Sequence, residues 1–242
     1  MIIVRRADER FHERKARRDL WSTFNTEALV VSGAVTRGFG ILERLDEVIL
    51  PPSGLVPRHL ERDAEVLTFA WEGSVAHEDS LGGSAVLHAG EFQRLTTGRG
   101  VRHTNSNASR TEWAHLFQLG LSPSEFEREP GHEERRFSAA QRRDGLCVIA
   151  SFDGRCGSLL LHEAVVVYSA VLDPGHHVVL ELAPGRTAWL HVVTGKVAYD
   201  GTTLDTGDGA GASAERSVSI TSRGASEVLL IDLPAHREPL EA

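Results

Sequence analysis

The chain is poor in the residues that mark several large classes of protein. It has two cysteines, Cys147 and Cys156, in 242 residues, too few for a secreted disulfide scaffold. The pair flanks a Gly-containing turn and can bridge, but reduced thiols in a cytoplasmic protein are the simpler reading. No apolar run approaches the roughly 20 residues needed to cross a bilayer. The opening Met1-Ile2-Ile3-Val4 meets Arg5 and Arg6 too soon to serve as a signal peptide. A basic surface is missing as well: the net charge is −8, and no long basic stripe offsets it, which argues against nucleic acid as the main partner. The Arg-rich stretches Arg14–Arg18 and Arg135–Arg143 are short and interleaved, and read as solvated faces. No P-loop, GxGxxG pattern or Ser-His-Asp order is present. A cytoplasmic protein with neither membrane nor nucleic acid as partner is expected.

Glycine is plentiful instead, at 23 residues against a single methionine. With many short apolar runs, this favours turns and strands over helices. A strand is expected near Ile2–Arg5, followed by an irregular arm to Phe24. Leu29–Ser32, Gly40–Leu45, Glu47–Leu50, Glu65–Glu72, Ser74–Asp79, Ala85–His88, Phe92–Thr96 and Trp113–Leu121 then read as strands. They are β-branched, aromatic or alternating, and most are bounded by Gly, Pro, Ser or Asp. Ser122 to Asp144 is rich in Glu, Arg, Pro and Ser and reads as a connection with room for a short helix. Strands resume at Leu146–Ser151, Ser158–His162, Ala164–Leu172, His177–Leu182, Thr187–Val193, Lys196–Asp200, Gly209–Ala212, Val218–Thr221 and Glu227–Asp232.

The second half echoes the first. Phe69-Ala70-Trp71-Glu72-Gly73-Ser74-Val75-Ala76 is matched by His191-Val192-Val193-Thr194-Gly195-Lys196-Val197-Ala198, and Gly90-Glu91 by Gly207-Asp208. A repeat at roughly 120 residues argues for two copies of one small barrel. Many short antiparallel strands with this turn spacing fit the double-sheet jelly roll of the cupin type. The fold expected is all-β, two tandem cupin (double-stranded β-helix) barrels. The first covers residues 1–125 and carries a candidate metal site. Residues 126–145 connect, and the second barrel covers 146–242 without metal ligands.

The chemistry concentrates in one stretch. His59 and Glu61 stand two positions apart on an expected strand, and side chains at i and i+2 share a face. His103 follows on a later strand that can lie alongside. Two imidazoles and one carboxylate facing one cavity suit a divalent first-row metal with open positions, such as non-haem Fe(II). His77 and Glu78 flank a turn and are expected at the surface. His88 reads as structural. His176 and His177 are neighbours in a strand and face opposite sides. His162 reads as an interdomain or turn hydrogen-bonding group. Where the first repeat places His103, the second reads Val218-Ser219-Ile220-Thr221, with no donor of the kind.

Several stretches together carry a family resemblance. They are Met1 to Arg10, Leu20-Trp21-Ser22-Thr23-Phe24, Glu65 to Phe69 with Glu72-Gly73, His77 to Gly82, Gly90-Glu91-Phe92-Gln93, Gly98-Arg99-Gly100-Val101-Arg102-His103, His115-Leu116-Phe117-Gln118, Gly157-Ser158-Leu159, His162, and Glu227 to Pro234. Over nearly its whole length the chain resembles the pirin family, most of all the bacterial pirin-like quercetin 2,3-dioxygenases. The resemblance implies a mononuclear metal held by His-x-His on one strand and His-x-Glu on a later one. By position these donors fall on His59, Glu61, His103 and Asn105. The chain thus departs at two of the four: a carboxylate stands at Glu61 and an amide at Asn105, whose oxygen is a weaker, neutral donor. Either Glu61 restores the missing charge from a new position, or the site is falling out of use.

The resemblance further implies oxygenase chemistry with one divalent transition metal, iron foremost, with Mn, Ni, Cu, Zn or Co also suited. A flavonol or related catechol-type aromatic would react with O2 and open its ring with loss of carbon monoxide. Glu61 is the acid these motifs place to take the substrate's hydroxyl proton, although holding the metal would lower its basicity. The rival reading is a non-catalytic, metal- or redox-responsive pirin-like protein that regulates a partner. A metal-free barrel that binds a small molecule in the same cavity is a third. A chain of two barrels can close its own core, so a monomer is expected.

Overall fold

The structure, a computed structural model, describes residues 1–24 and 38–235, so the expected strand Leu29–Ser32 lies outside the described residues. The first half contributes β1 (Ile2–Arg5), β2 (Phe11–Lys15), β3 (Arg18–Ser22), β4 (Leu42–Leu50), β5 (Leu55–Glu61), β6 (Glu65–Glu72), β7 (Ser74–Asp79), β8 (Ser84–His88), β9 (Glu91–Thr96), β10 (Val101–Asn107), β11 (Ala114–Leu121) and β12 (Gly131–Arg136). The second contributes β13 (Cys147–Ser151), β14 (Leu159–Leu160), β15 (Val166–Leu172), β16 (His177–Glu181), β17 (Thr187–Thr194), β18 (Lys196–Tyr199), β19 (Thr202–Asp205), β20 (Gly209–Ser213), β21 (Ser217–Ser222) and β22 (Ser226–Leu233). No helix among the described residues is long and apolar enough to cross a membrane.

Each barrel is a seven-stranded sheet closed by a four-stranded one. The first uses β12-β9-β6-β11-β4-β3-β2 and β5-β10-β7-β8; the second uses β1-β20-β17-β22-β15-β13-β14 and β16-β21-β18-β19. The four-stranded sheets repeat the same order half a chain apart, as the sequence repeat requires. Gly73 and Gly195 mark its shared turn, with φ of 72° and 91°. A Cβ at either position would collide with a carbonyl oxygen, that of Trp113 or of Ala225, so the turn admits only glycine without a backbone shift.

The large sheets pack face to face. On β6 and β11 the odd positions Leu67, Phe69, Phe117 and Leu119 join Trp189, Leu229 and Ile231 in the central core. Phe69 stacks on Phe92 with centroids 4.2 Å apart; burying a Phe side chain stabilises by about 1.5–3 kcal/mol. Several polar groups are threaded through this interface, and some of them are paired. Trp71 Nε1 donates to Glu227 at 3.0 Å and Arg142 pairs with the same carboxylate. Glu47 takes Arg10 at 2.6 Å and His115 at 2.8 Å. His162 bonds Glu65 at 2.7 Å, an interdomain contact of the kind expected for it.

Four expectations change. The arm before Phe24 forms the hairpin β2–β3, because Phe11–Lys15 pairs in register with Arg18–Ser22. Gly40–Leu45 and Glu47–Leu50 are one strand, since β4 pairs with β11 along its whole length and Asp46 turns inward without breaking the ladder. The connection 126–145 contains β12, which pairs with β9. It is an exposed, charged edge strand, and edges of that kind lose the apolar alternation by which strands are read. Strand β1, assigned by sequence order to the first barrel, pairs with β20 of the second. The N-terminal ammonium is anchored there by Glu215 at 2.6 Å.

Candidate metal centre

The wall of the first barrel that matters is β5, β10 and β7. Antiparallel pairing sets His103 opposite His59 and Val101 opposite Glu61. On the other side of β10, His103 lies opposite Asp79 and Asn105 opposite His77. Strand parity turns these polar side chains toward the barrel interior. Donor atoms of His59, Glu61 and His103 all lie within 4.8 Å of one another. His103 Nε2 is 2.9 Å and His59 Nε2 3.9 Å from the same carboxylate oxygen, Glu61 Oε2.

The surroundings set the charge state of two of these side chains. His59 Nδ1 donates to the Pro57 carbonyl at 3.1 Å, which fixes the proton there and leaves the Nε2 lone pair facing Glu61. Burial, together with repulsion from His103, pushes the His59 pKa down despite the Pro57 bond, so the ring is neutral at pH 7. Arg44 Nη2 holds the far oxygen, Glu61 Oε1, at 2.7 Å. Burial alone would raise the Glu61 carboxyl, but the His103 hydrogen bond and the Arg44 charge outweigh it and hold the group at about 2. Glu61 is therefore ionised, with Oε2 turned to the imidazoles. A neutral imidazole and an ionised carboxylate are forms a divalent ion binds; His59 and Glu61 take them, and with His103 Nε2 beside Glu61 the donor set fits such an ion.

Side-chain exposure grades from 41% at His59 through 13% at Glu61 to 2% at His103, so the group opens on the His59 side. There it meets a cavity of about 330 Å³, walled by Leu20, Val48, Val56 and Pro57 and by the polar Arg18, Arg44, Asp46, Arg58 and Gln118. The apolar walls suit a planar ring and the polar groups suit its oxygens.

The other expected residues fall as follows. Asn105 shares the inward face of β10 with His103, but its Oδ1 takes His77 Nδ1 at 3.0 Å. His77 itself is not at the surface. It is 2% exposed, inside β7, with Asp79 Oδ2 at 3.6 Å from its Nε2. The signal lay in parity: Val75 must be core, and His77 and Asp79 follow it at two-residue steps. Arg44 and Asp46 were missed for the same reason, since they alternate toward Val48 and Leu50 on β4. In the second barrel His176 groups with Asp144 and Asp173 within 4.8 Å, at the surface. That group is internally paired: His176 lies 3.0 Å from Asp144, and Arg143 lies 2.6 Å from Asp173.

Two jelly-roll barrels in one chain, with a His-Glu-His donor set inside the first, define a bicupin with a candidate mononuclear metal centre. The pirin family model matches residues 9–121, and the model of the quercetinase C-terminal cupin domain matches 148–233. The chain is 36% identical over 234 residues to quercetin 2,3-dioxygenase of Escherichia coli K12, covering 97% of this chain and 99% of that one. It superposes on the crystal structure of Escherichia coli YhhW with a TM-score of 0.90 at 35% identity, over 98% of this chain and 100% of that one. The nickel(II) complex of the same bacterial pirin gives a TM-score of 0.89 at 34% identity, over 97% and 100%. The chain belongs to the pirin family.

Proposed function

We propose that the chain is a metal-dependent dioxygenase of the quercetin 2,3-dioxygenase type, using O2 on a flavonol or related catechol-type aromatic. The observation that carries this reading is the His59, Glu61 and His103 group opening on a ring-sized cavity, in a chain with a full-length relative of that name. These three residues would hold one divalent transition ion, iron foremost, with Mn, Ni, Cu, Zn or Co also suited to the donors. When bound, the ion would supply Lewis acidity and, for a redox-active metal, electron-transfer capacity.

The protein's own groups do the rest. Leu20, Val48 and Val56 exclude water and orient the ring. Arg44 keeps Glu61 ionised and turned toward the imidazoles. Glu61 was the expected general base, but both of its oxygens are engaged, by Arg44 and by His103. With its pKa held at about 2, it is a ligand and a poor proton acceptor at neutral pH. The bond between Asn105 Oδ1 and His77 favours a second reading, in which an ion held by three protein donors serves sensing or partner regulation. A cytoplasmic monomer, with small molecules rather than nucleic acid or membrane as partners, completes the primary reading. The facing large sheets support the monomer by burying the central core within one chain.

Elemental analysis of protein purified without added metal, followed by oxygen uptake with quercetin, tests the proposal. About one ion per chain and substrate-dependent uptake are expected, both lost in Glu61→Ala. No ion after incubation with Fe(II), Mn(II), Ni(II), Cu(II), Co(II) and Zn(II) would overturn it. An ion without oxygen uptake would leave the sensing reading in its place.

A further inference from the structure

We propose that Asp46 is the proton acceptor of this site, the group that removes the hydroxyl proton from a flavonol or catechol-type substrate; the inference rests on the dioxygenase reading above. Asp46 lies mid-strand on β4, and parity turns it with Arg44 and Val48 into the cavity that His59 lines, while its neighbour Glu47 turns the other way, to Arg10 and His115. Its two oxygens are unequally used. Oδ1 accepts the Ser22 hydroxyl at 2.6 Å. Oδ2 lies 3.8 Å from Arg44 Nε, too far for a hydrogen bond.

Other carboxylates near the site are spent. Glu61 has both oxygens engaged. Glu47 is tied to Arg10 and His115 outside the cavity. Asp79 uses Oδ1 on the Leu81 and Gly83 amides, and its Oδ2, although without a hydrogen-bond partner, is sealed against His77 and does not line the cavity. Gln118 stands directly opposite Asp46 on β11 but turns its amide to Thr68 at 3.2 Å. Asp46 thus keeps an uncommitted oxygen on the cavity wall.

Arg44 also gives this oxygen its place. The same guanidinium that grips Glu61 through Nη2 presents Nε to Asp46 Oδ2. One planar group therefore separates the free carboxylate oxygen from the metal-binding carboxylate. The charged and titratable groups around Asp46 and its cavity are Arg18 of β3, Arg44 of β4, and Arg58, His59 and Glu61 of β5. Burial raises the Asp46 pKa against the pull of Arg44 and Ser22, which moves it toward the range a base needs at neutral pH. In the step itself the substrate O–H bond breaks, the proton passes to Asp46 Oδ2, and the electron pair stays on the substrate oxygen. Nothing is oxidised or reduced.

The test uses metal-loaded full-length protein and Asp46→Asn, which keeps an oxygen for Ser22 and the shape of the cavity. Quercetin is added without oxygen and followed by absorption, since its anion absorbs at longer wavelength than the neutral form. Oxygen uptake is then measured against pH. Wild type is expected to bind the anion near neutral pH. Asp46→Asn is expected to keep its metal, bind neutral quercetin, lose about 100-fold or more in kcat, and recover rate as pH approaches the flavonol's own ionisation. A variant with the wild-type anion band and rate overturns the assignment of Asp46 and leaves the dioxygenase reading intact. Wild type that takes no metal or no oxygen sinks the dioxygenase reading, and this one with it. If Asp46→Asn does not fold, Ser22→Ala decides: loss of its hydrogen bond should move the acid limb of the pH–rate profile upward, and an unmoved limb overturns the proposal.

Discussion

The two barrels share a strand order and differ in what they enclose. The first lines β5, β10 and β7 with His59, Glu61, His103, Asn105, His77 and Asp79. The second lines the matching β16, β21 and β18 with Val178, Leu180, Val218, Ile220, Val197 and Tyr199. The polar interior carries a cost, since His77 Nε2, Asp79 Oδ2 and His103 Nδ1 are buried without hydrogen-bond partners. The apolar one packs continuously from Val166 through Leu230. One copy of the frame carries a polar interior, while the other, and much of the interface between them, packs apolar side chains. Sites that trade stability for function in this way are expected where a local rule is broken.

The sharpest way to break the comparison is at the donors. His103→Ala should abolish metal uptake, from about one ion per chain to none by elemental analysis. Val218→Ala on the matching strand of the second barrel should leave uptake unchanged. The reverse asymmetry is expected for stability. Ile220→Ala, a buried truncation in the second barrel, should cost about 2–5 kcal/mol by urea unfolding. Equal metal loss in both barrels, or a harmless Ile220→Ala, would erase the division of labour.

A smaller effect is expected at Arg44. Arg44→Met removes the group that fixes Glu61 Oε1 and should weaken metal binding by about 10- to 100-fold in competition with a chromophoric chelator. Unchanged affinity would mean that Glu61 orients itself. A last effect, spread over several pH units, concerns the interface. His191 is fully buried beside Phe117, and burial lowers its pKa from 6.5 to about 3. The unfolded chain binds a proton there below pH 6.5 while the folded chain does not until about pH 3. Stability is therefore lost as pH falls through that window, by at most about 1.4 kcal/mol per pH unit from this group. His191→Leu should flatten the pH dependence of urea unfolding between those limits; an equal slope in the variant would assign the loss to other groups.

Much of the fold was legible because it rests on local rules. Strands Glu65–Glu72 and Ser74–Asp79 appear at their expected bounds, since alternation and a glycine turn specify them without help from distant residues. The hairpin β2–β3 and the edge strand β12 were not legible. Their residues are charged, and pairing with a neighbour, not composition, makes them strands. The candidate site divides in the same way. His59, Glu61 and His103 were visible as donors at a two-residue step plus a later strand. His77, Asp46 and Arg44 were not, because nothing in the local sequence tells an inward polar residue from an outward one until a core neighbour fixes the parity.

The sequence by itself determined an all-β chain of two repeated barrels, a pirin-family pattern, and one candidate set of metal donors in the first repeat. These follow from periodicity, turn chemistry and residue type, which act over a few positions. Only the tertiary structure decided that β1 crosses to the second barrel, that Asn105 turns to His77, that Arg44 takes one oxygen of Glu61, and that Asp46 keeps one free. Each of these depends on which strands lie side by side and on which oxygen or nitrogen finds a partner first. Those contacts join residues far apart in the chain, so no local pattern records them.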